Sequence, residues 1–367
     1  MNYNKAIMTK QNTLNAGYLH YYYSIKTAIF VILIIIIAAG LQAAPKERLF
    51  IVEITGNNQK IVESDGYGSD KILFSTDKLD YLPLCIKDSL VLFGGKGCFI
   101  YDLSANNTIQ IDGDTDFVET GGFFRASDIA FYMKFNPVDS LYYIYLFDYI
   151  QNKQVAKFEG YNPSLAVKDD VLFYLRAENM ETDSNTMYYR HICKFTPGGK
   201  ISLLKTIELD EYYRLDVVEV IGYSGDKYHY NIYDEHEYRY YSDYKGGDKD
   251  FYSGKKGTRY DGNHKEQFSL KFSSDGKYAA FEERNWNELT YIVVVDLAKK
   301  KRIETPYYGS FPEVIGNTVY FISDPEFIEA ENIEFRQIQN NALFAYDIAK
   351  RKLRLVKKYE GIIGIIK

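Results

Sequence analysis

Residues 268–305 read FSLKFSSDGKYAAFEERNWNELTYIVVVDLAKKKRIET. Three apolar runs, FSLKF, KYAAFEE and TYIVVVD, are short and rich in aromatic or β-branched residues, which fit a pleated, half-buried surface. Asp-Gly separates the first two runs, and Asp296 followed by lysines closes the third. Both are turn chemistry. A fourth run, RIET, follows. The unit reads strand, turn, strand, loop, strand, polar turn, strand, with no 3.6-residue apolar period to support a helix.

The same unit recurs along the chain. Strand-like runs end in an acidic turn at Asp102 (CFIYDL), Asp148 (YYIYLFD), Asp234 (YHYNIYD), Asp296 (YIVVVD) and Asp347 (LFAYD), and MYYRHICKF fills the slot around Lys194. The intervals are 46, 46, 40, 62 and 51 residues. Each run is preceded by a strand of buried type carrying an aromatic: SLVLFGG, DIAFYMK, DVLFYLR, YAAFEER, TVYFISD and, less clearly, VVEVIGY. A period of this size marks propeller blades. One unit cannot bury both faces of its sheet, whereas copies stacked radially bury them and leave only short edges. Six units are complete. LFIVEI, QKIVES and KILFST at the front and GIIGIIK at the end supply three strands and one. The expected fold is an all-β propeller of four-stranded blades, seven in number, closed by strands from both ends, with six blades as the alternative.

Residues 268–305 resemble the propeller repeat of TolB-like proteins: a strand, S-x-D-G-K, an apolar strand, then an aliphatic strand ending in Asp-Leu. NTVYFISD with LFAYDIAKRKLRLV is similar to a second, weaker copy. The resemblance implies propeller architecture. It does not extend to the α/β domain that precedes the propeller in TolB, so TolB's own partnerships do not carry over.

Ala28 to Ala39, AIFVILIIIIAA, is an unbroken apolar run behind Lys26 and ahead of GLQAAPKER. Twelve apolar residues suit a signal-peptide core and are short for a bilayer span. Residues 1–43 are expected to be a signal segment, or else an uncleaved anchor that provides the only membrane contact. The body, 44–367, is expected as one propeller in the periplasm, cell envelope or extracellular space. Formal charge is −6, and residues 44–367 alone carry −9. A phosphate backbone is held by clustered Lys and Arg, so nucleic acid is disfavoured. Cys85, Cys98 and Cys193 contain no CxxC; Cys85–Cys98 is the nearest pair for a disulfide, and both sit in apolar runs where a free thiol packs as a small hydrophobe.

Enzyme motifs are missing. GYSGD at 222–226 has the wrong spacing for a nucleophile elbow, and there is no HExxH or Walker loop. Asp112, Asp114 and Asp116 imitate a calcium loop, but Phe117 stands where glycine is needed and Phe123 where a bidentate Glu is needed. No catalytic residue, metal ligand or cofactor is assigned. Contact is expected on acidic loops: Glu282, Glu283, Trp286 and Glu288 in one, and Glu326, Phe327, Glu329 and Glu331 in another. A Tyr-rich insertion near 235–262, with Tyr238, Tyr240 and Tyr241, is the other candidate, since Tyr beside Gly, Asp and Ser suits adaptable binding surfaces. The expected role is a non-catalytic module binding an envelope protein, one with a basic surface fitting the acidic loops, or a glycan. The alternative is a carbohydrate hydrolase with carboxylates around a central channel.

Overall fold

The computed structural model describes residues 48–366 apart from 78–80, 182–185, 210–214, 235–236, 244–248, 253–265, 285–289 and 326–340. The expected signal segment lies outside them. The described residues are all-β, twenty-six strands without a helix, and every strand pairing is antiparallel. β1 (Leu49–Thr55), β2 (Asn58–Ser64) and β3 (Asp70–Thr76) come first. β4 (Tyr81–Lys87), β5 (Leu90–Asp102), β6 (Asn107–Phe123), β7 (Ile129–Asn136), β8 (Leu141–Asp148) and β9 (Lys153–Glu159) follow as one six-stranded sheet. Four sheets of four come next. The first holds β10 (Tyr161–Leu165), β11 (Leu172–Glu181), β12 (Thr186–Thr196) and β13 (Lys200–Leu209). The second holds β14 (Leu215–Ser224), β15 (Lys227–Asp234), β16 (Glu237–Asp243) and β17 (Lys249–Asp250). The third holds β18 (Glu266–Phe272), β19 (Tyr278–Arg284), β20 (Thr290–Asp296) and β21 (Lys301–Tyr308), and the fourth β22 (Ser310–Ile315), β23 (Thr318–Ser323), β24 (Ala342–Asp347) and β25 (Lys352–Lys358). β26 (Ile362–Ile366) returns to β1, with Ile362 opposite Ile54 and Ile366 opposite Phe50.

The six-stranded sheet is two units in series. β6 pairs with β5 as far as Phe117 and with β7 from Val118 onward. β5 cannot be straight: thirteen extended residues span about 40 Å, yet the Leu103 amide donates to the Ser89 carbonyl at 2.8 Å. The strand doubles back between Gly94 and Gly97, and its halves face each other through the stacked rings of Phe93 and Phe99, 4.9 Å apart.

The recurring aspartate is a turn cap. Asp102 Oδ1 accepts the amides of Ser104 and Ala105, Asp148 Oδ1 those of Ile150 and Gln151, Asp296 Oδ1 that of Lys299, and Asp347 Oδ1 that of Lys350. Each turn then closes on a left-handed residue, Asn106, Asn152, Lys300 or Arg351. One member of the series is corrected. Asp234 ends β15, the second strand of its sheet; the third strand, β16, ends at Asp243. Two successive Tyr-rich strands both close on Asp, which hid the register. With Asp243 in the series, the uneven 40 and 62 become 49 and 53. The region 235–262 is accordingly not all insertion, since β16 and β17 are the third and fourth strands of that sheet.

The aromatics of the second strands form the core. Phe93, Phe173, Phe281 and Phe321 are almost fully buried. A Cβ on Gly222 would lie 2.1 Å from the Phe173 ring, and one on Gly309 would lie 2.4 Å from Phe321. Only glycine lets the backbone come that close. Apolar clusters lie between successive units: one joins β1–β3 to β4 and β5, and another joins β23 and β24 to β1, β2 and β26.

Two outcomes follow. Asp296→Ala removes a cap on a largely buried carboxylate and should lower stability by about 1 kcal/mol in urea unfolding. Burial depresses the pKa of His229 from 6.5 to about 4, with its ring 5.5 Å from both Phe251 and Phe272. The neutral ring therefore contributes stability that is complete above pH 6.5 and lost as pH falls toward 4, by up to about 1.4 kcal/mol per pH unit. The urea midpoint should fall across that window, and His229→Asn should flatten the fall.

Candidate functional site

The first strands of five units converge on a cavity of about 310 Å³. β4 contributes Leu84 to Lys87, the end of β6 Gly121 to Phe123, β10 Pro163 to Leu165, β14 Ile221, and β18 Leu270 to Phe272. Its lining is mainly apolar. The charged members are Lys87, Arg125 and Lys271, and among the described lining residues there is no Asp or Glu.

Two of these cations are already engaged. Lys87 Nζ donates to the carbonyls of Phe124 and Ser127, both at 2.8 Å, and to the Tyr149 hydroxyl at 3.3 Å. Arg125 Nη1 donates to the carbonyls of Ala166 (2.6 Å) and Asp169 (3.2 Å). Both therefore hold one unit to the next. The Asp170 carboxylate accepts the Arg125 and Ala126 amides, and Asp169 Oδ2 accepts the Ser224 hydroxyl and the Gly225 amide. The turn carrying both aspartates is thus clasped from either side. Lys271 lies within electrostatic reach of Glu219. Glu219, half-buried in β14, accepts a hydrogen bond from the Tyr240 hydroxyl. Burial raises the Glu219 pKa, and Tyr240 and Lys271 oppose that rise.

The residues expected on acidic loops divide into two groups. Glu282 and Glu283 belong to β19 and are buried. Glu282 accepts the Phe311 amide at 2.8 Å, tying β19 to β22. Glu283 receives both Arg302 nitrogens, each at 2.6 Å, in a bidentate pair. This corrects their expected place on a loop: β19 runs on to Arg284, because a buried carboxylate with a fixed partner can occupy an apolar strand. Trp286, Glu288, Glu326, Phe327, Glu329 and Glu331 lie outside the described residues. Tyr240 and Tyr241 sit in β16 at 1% and 6% exposure, which places them in the core and not on a surface. Tyr238 is in the same strand, opposite Tyr233. Among the described residues, no group of three or more His, Cys, Asp or Glu side chains is placed to hold a metal. The three cysteines are free thiols.

No family model and no curated protein matches the chain. Solved structures do. A puromycin-hydrolysing peptidase from Mycobacterium tuberculosis aligns at TM-score 0.52 and 9% identity, over 85% of this chain and 52% of that one. The chain thus spans about half the peptidase's length. An oligogalacturonate lyase from Vibrio parahaemolyticus aligns at 0.50 and 11% identity, covering 86% of this chain and 87% of the lyase. β-Propeller proteins are among the matches, as is a TolB-type protein from Agrobacterium tumefaciens at 0.41 and 10% identity, over 87% and 96%. At these identities the likeness concerns the fold alone.

The Glu219 carboxylate gives a test with a defined sign. A raised folded-state pKa means that the neutral acid is favoured, so its stabilising effect is full at low pH and lost as pH rises through that pKa. Glu219→Gln keeps an acceptor for Tyr240 and is always neutral. Its urea midpoint should match the wild type at pH 4 and exceed it at pH 8.

Proposed function

We propose that this chain is an exported, seven-bladed β-propeller acting as a non-catalytic binding module for another protein of the cell envelope. The blade count rests on dividing the six-stranded sheet into two, and on apolar clusters that link each unit to the next and the last to the first. In this reading β26 and β1 close the ring. Export rests on the apolar run at 28–39.

The observation that carries the non-catalytic reading is the composition of the central cavity. Glycoside hydrolysis requires two carboxyl groups flanking the scissile bond. The described lining has none, and two of its three cations are spent on backbone carbonyls of neighbouring units. The enzymes among the structural neighbours share the path of the chain and lend this protein no activity. Contact is assigned to the loops bearing Trp286, Glu288, Glu326, Phe327, Glu329 and Glu331, which suit a partner with a basic surface.

The test is affinity capture from envelope extract with the full chain and with a variant lacking 326–340, each at low and raised salt. One partner held by the first, lost by the second and weakened by salt is the expected result. Equal capture by both, or no partner for either, overturns the proposal. Turnover of a glycoside by the purified chain overturns its non-catalytic part.

A further inference from the structure

A second cavity, of about 400 Å³, opens between β3 and the β5–β6 pair. Its setting is unlike the other contacts between units. The apolar cluster between the units of β10 and β14 holds twelve buried residues and four partly buried ones. The cluster here holds five buried and seven partly buried, so this seam is left ajar. Interiors normally close to crystal-like density. Half-buried aromatic rings beside a cavity are instead the usual lining of a small-molecule site, and the volume falls in the range of such sites.

The lining is ordered by strand geometry. Phe99 and Tyr101 are two apart on β5 and share a face. Thr108 and Gln110, two apart on β6, share that face, and a bulge at Ile111 breaks the alternation before Asp112, which lies opposite Cys98. The register sets Tyr101 opposite Thr108 and Phe99 opposite Gln110. Two rings of β5 thus run beside a hydroxyl and an amide of β6. Phe74 packs against the Tyr101 ring at 4.8 Å, and Tyr81 meets Phe99 edge-on at 5.0 Å. Asp112 is engaged by Lys134 at 3.3 Å, so its charge is compensated within the protein.

We infer that this cleft is a binding site for a saccharide. A pyranose has an apolar C–H face that packs on an aromatic ring and equatorial hydroxyls that need hydrogen-bonding partners beside it. The paired rings and polar groups offer both at strand spacing. Thr108 and Gln110 offer an exposed hydroxyl and amide that an acyl chain cannot use, and Lys96 in the lining, with Asp112 already paired to Lys134, disfavours a cationic ligand. The site does not depend on the protein-binding reading above, and capture of an envelope partner neither supports nor weakens it.

The test is saturation-transfer NMR on the full chain with cellobiose, maltose and N,N′-diacetylchitobiose at millimolar concentration. Gln110→Ala, Thr108→Val and Tyr101→Leu are compared with Phe311→Ala, a control on an exposed ring elsewhere. Transfer to ring C–H protons of at least one disaccharide is expected. Affinity should fall about tenfold in the cleft variants that keep the wild-type melting temperature, and stay unchanged in the control. No transfer to any of the three, or binding undiminished in folded Gln110→Ala and Thr108→Val, overturns the assignment. Preferential saturation of indole with the same variant dependence also overturns it, in favour of an aromatic ligand.

Discussion

Each sheet in this protein has two apolar faces, and that constraint governs the rest. A sheet with one solvated face alternates apolar with polar residues, whereas β19 carries Ala279, Ala280 and Phe281 in succession and β20 carries Ile292 to Val295, all buried. Neither face can be left to water, so every unit needs a neighbour on both sides. Burial of apolar area is worth roughly 25 cal/mol per Å², but it is non-directional. It holds sheets together without fixing their angle or order.

Polar ties supply the direction. Arg48 reaches the Asp88 carbonyl, Lys87 reaches the carbonyls of Phe124 and Ser127, Arg125 reaches those of Ala166 and Asp169, and Lys357 reaches Asp70. Each joins one unit to the next. Long cationic side chains suit the task because their stems lie along apolar surface while the head meets a carbonyl. This changes how a charge in a cavity between units is read. Lys87 and Arg125 look like ligand-binding groups by position, and their partners make them joints.

Much of this was legible in the sequence, for local reasons. An aspartate that caps a tight turn acts within three residues of itself, so its recurrence marks the repeat with no knowledge of the fold. The aromatic in each second strand is similarly visible, because burial on both faces demands it. The sequence failed where identity depends on remote partners. Glu282 and Glu283 look like rim acids until Phe311 and Arg302 are seen beside them. Tyr240 and Tyr241 look like an exposed Tyr-rich surface, yet β16 is an interior strand and they are core. The open seam at Phe74, Tyr81, Phe99 and Tyr101 left no sequence signal at all, since its rings belong to strands of ordinary composition. A pairing of rings with polar groups across β5 and β6 could have been suspected only with the register in hand.

The pairing of β26 with β1 has a consequence for biosynthesis. β1, β2 and β3 are made long before Ile362–Ile366, and the edge of β1 waits for that strand. An unpaired strand edge rich in Leu, Phe, Ile and Val is a template for association with other chains, and contacts so distant in sequence form slowly. The nascent chain therefore carries an unpaired apolar edge until that strand emerges. Such a chain calls for a holding factor, or for a delay in folding until β26 has emerged.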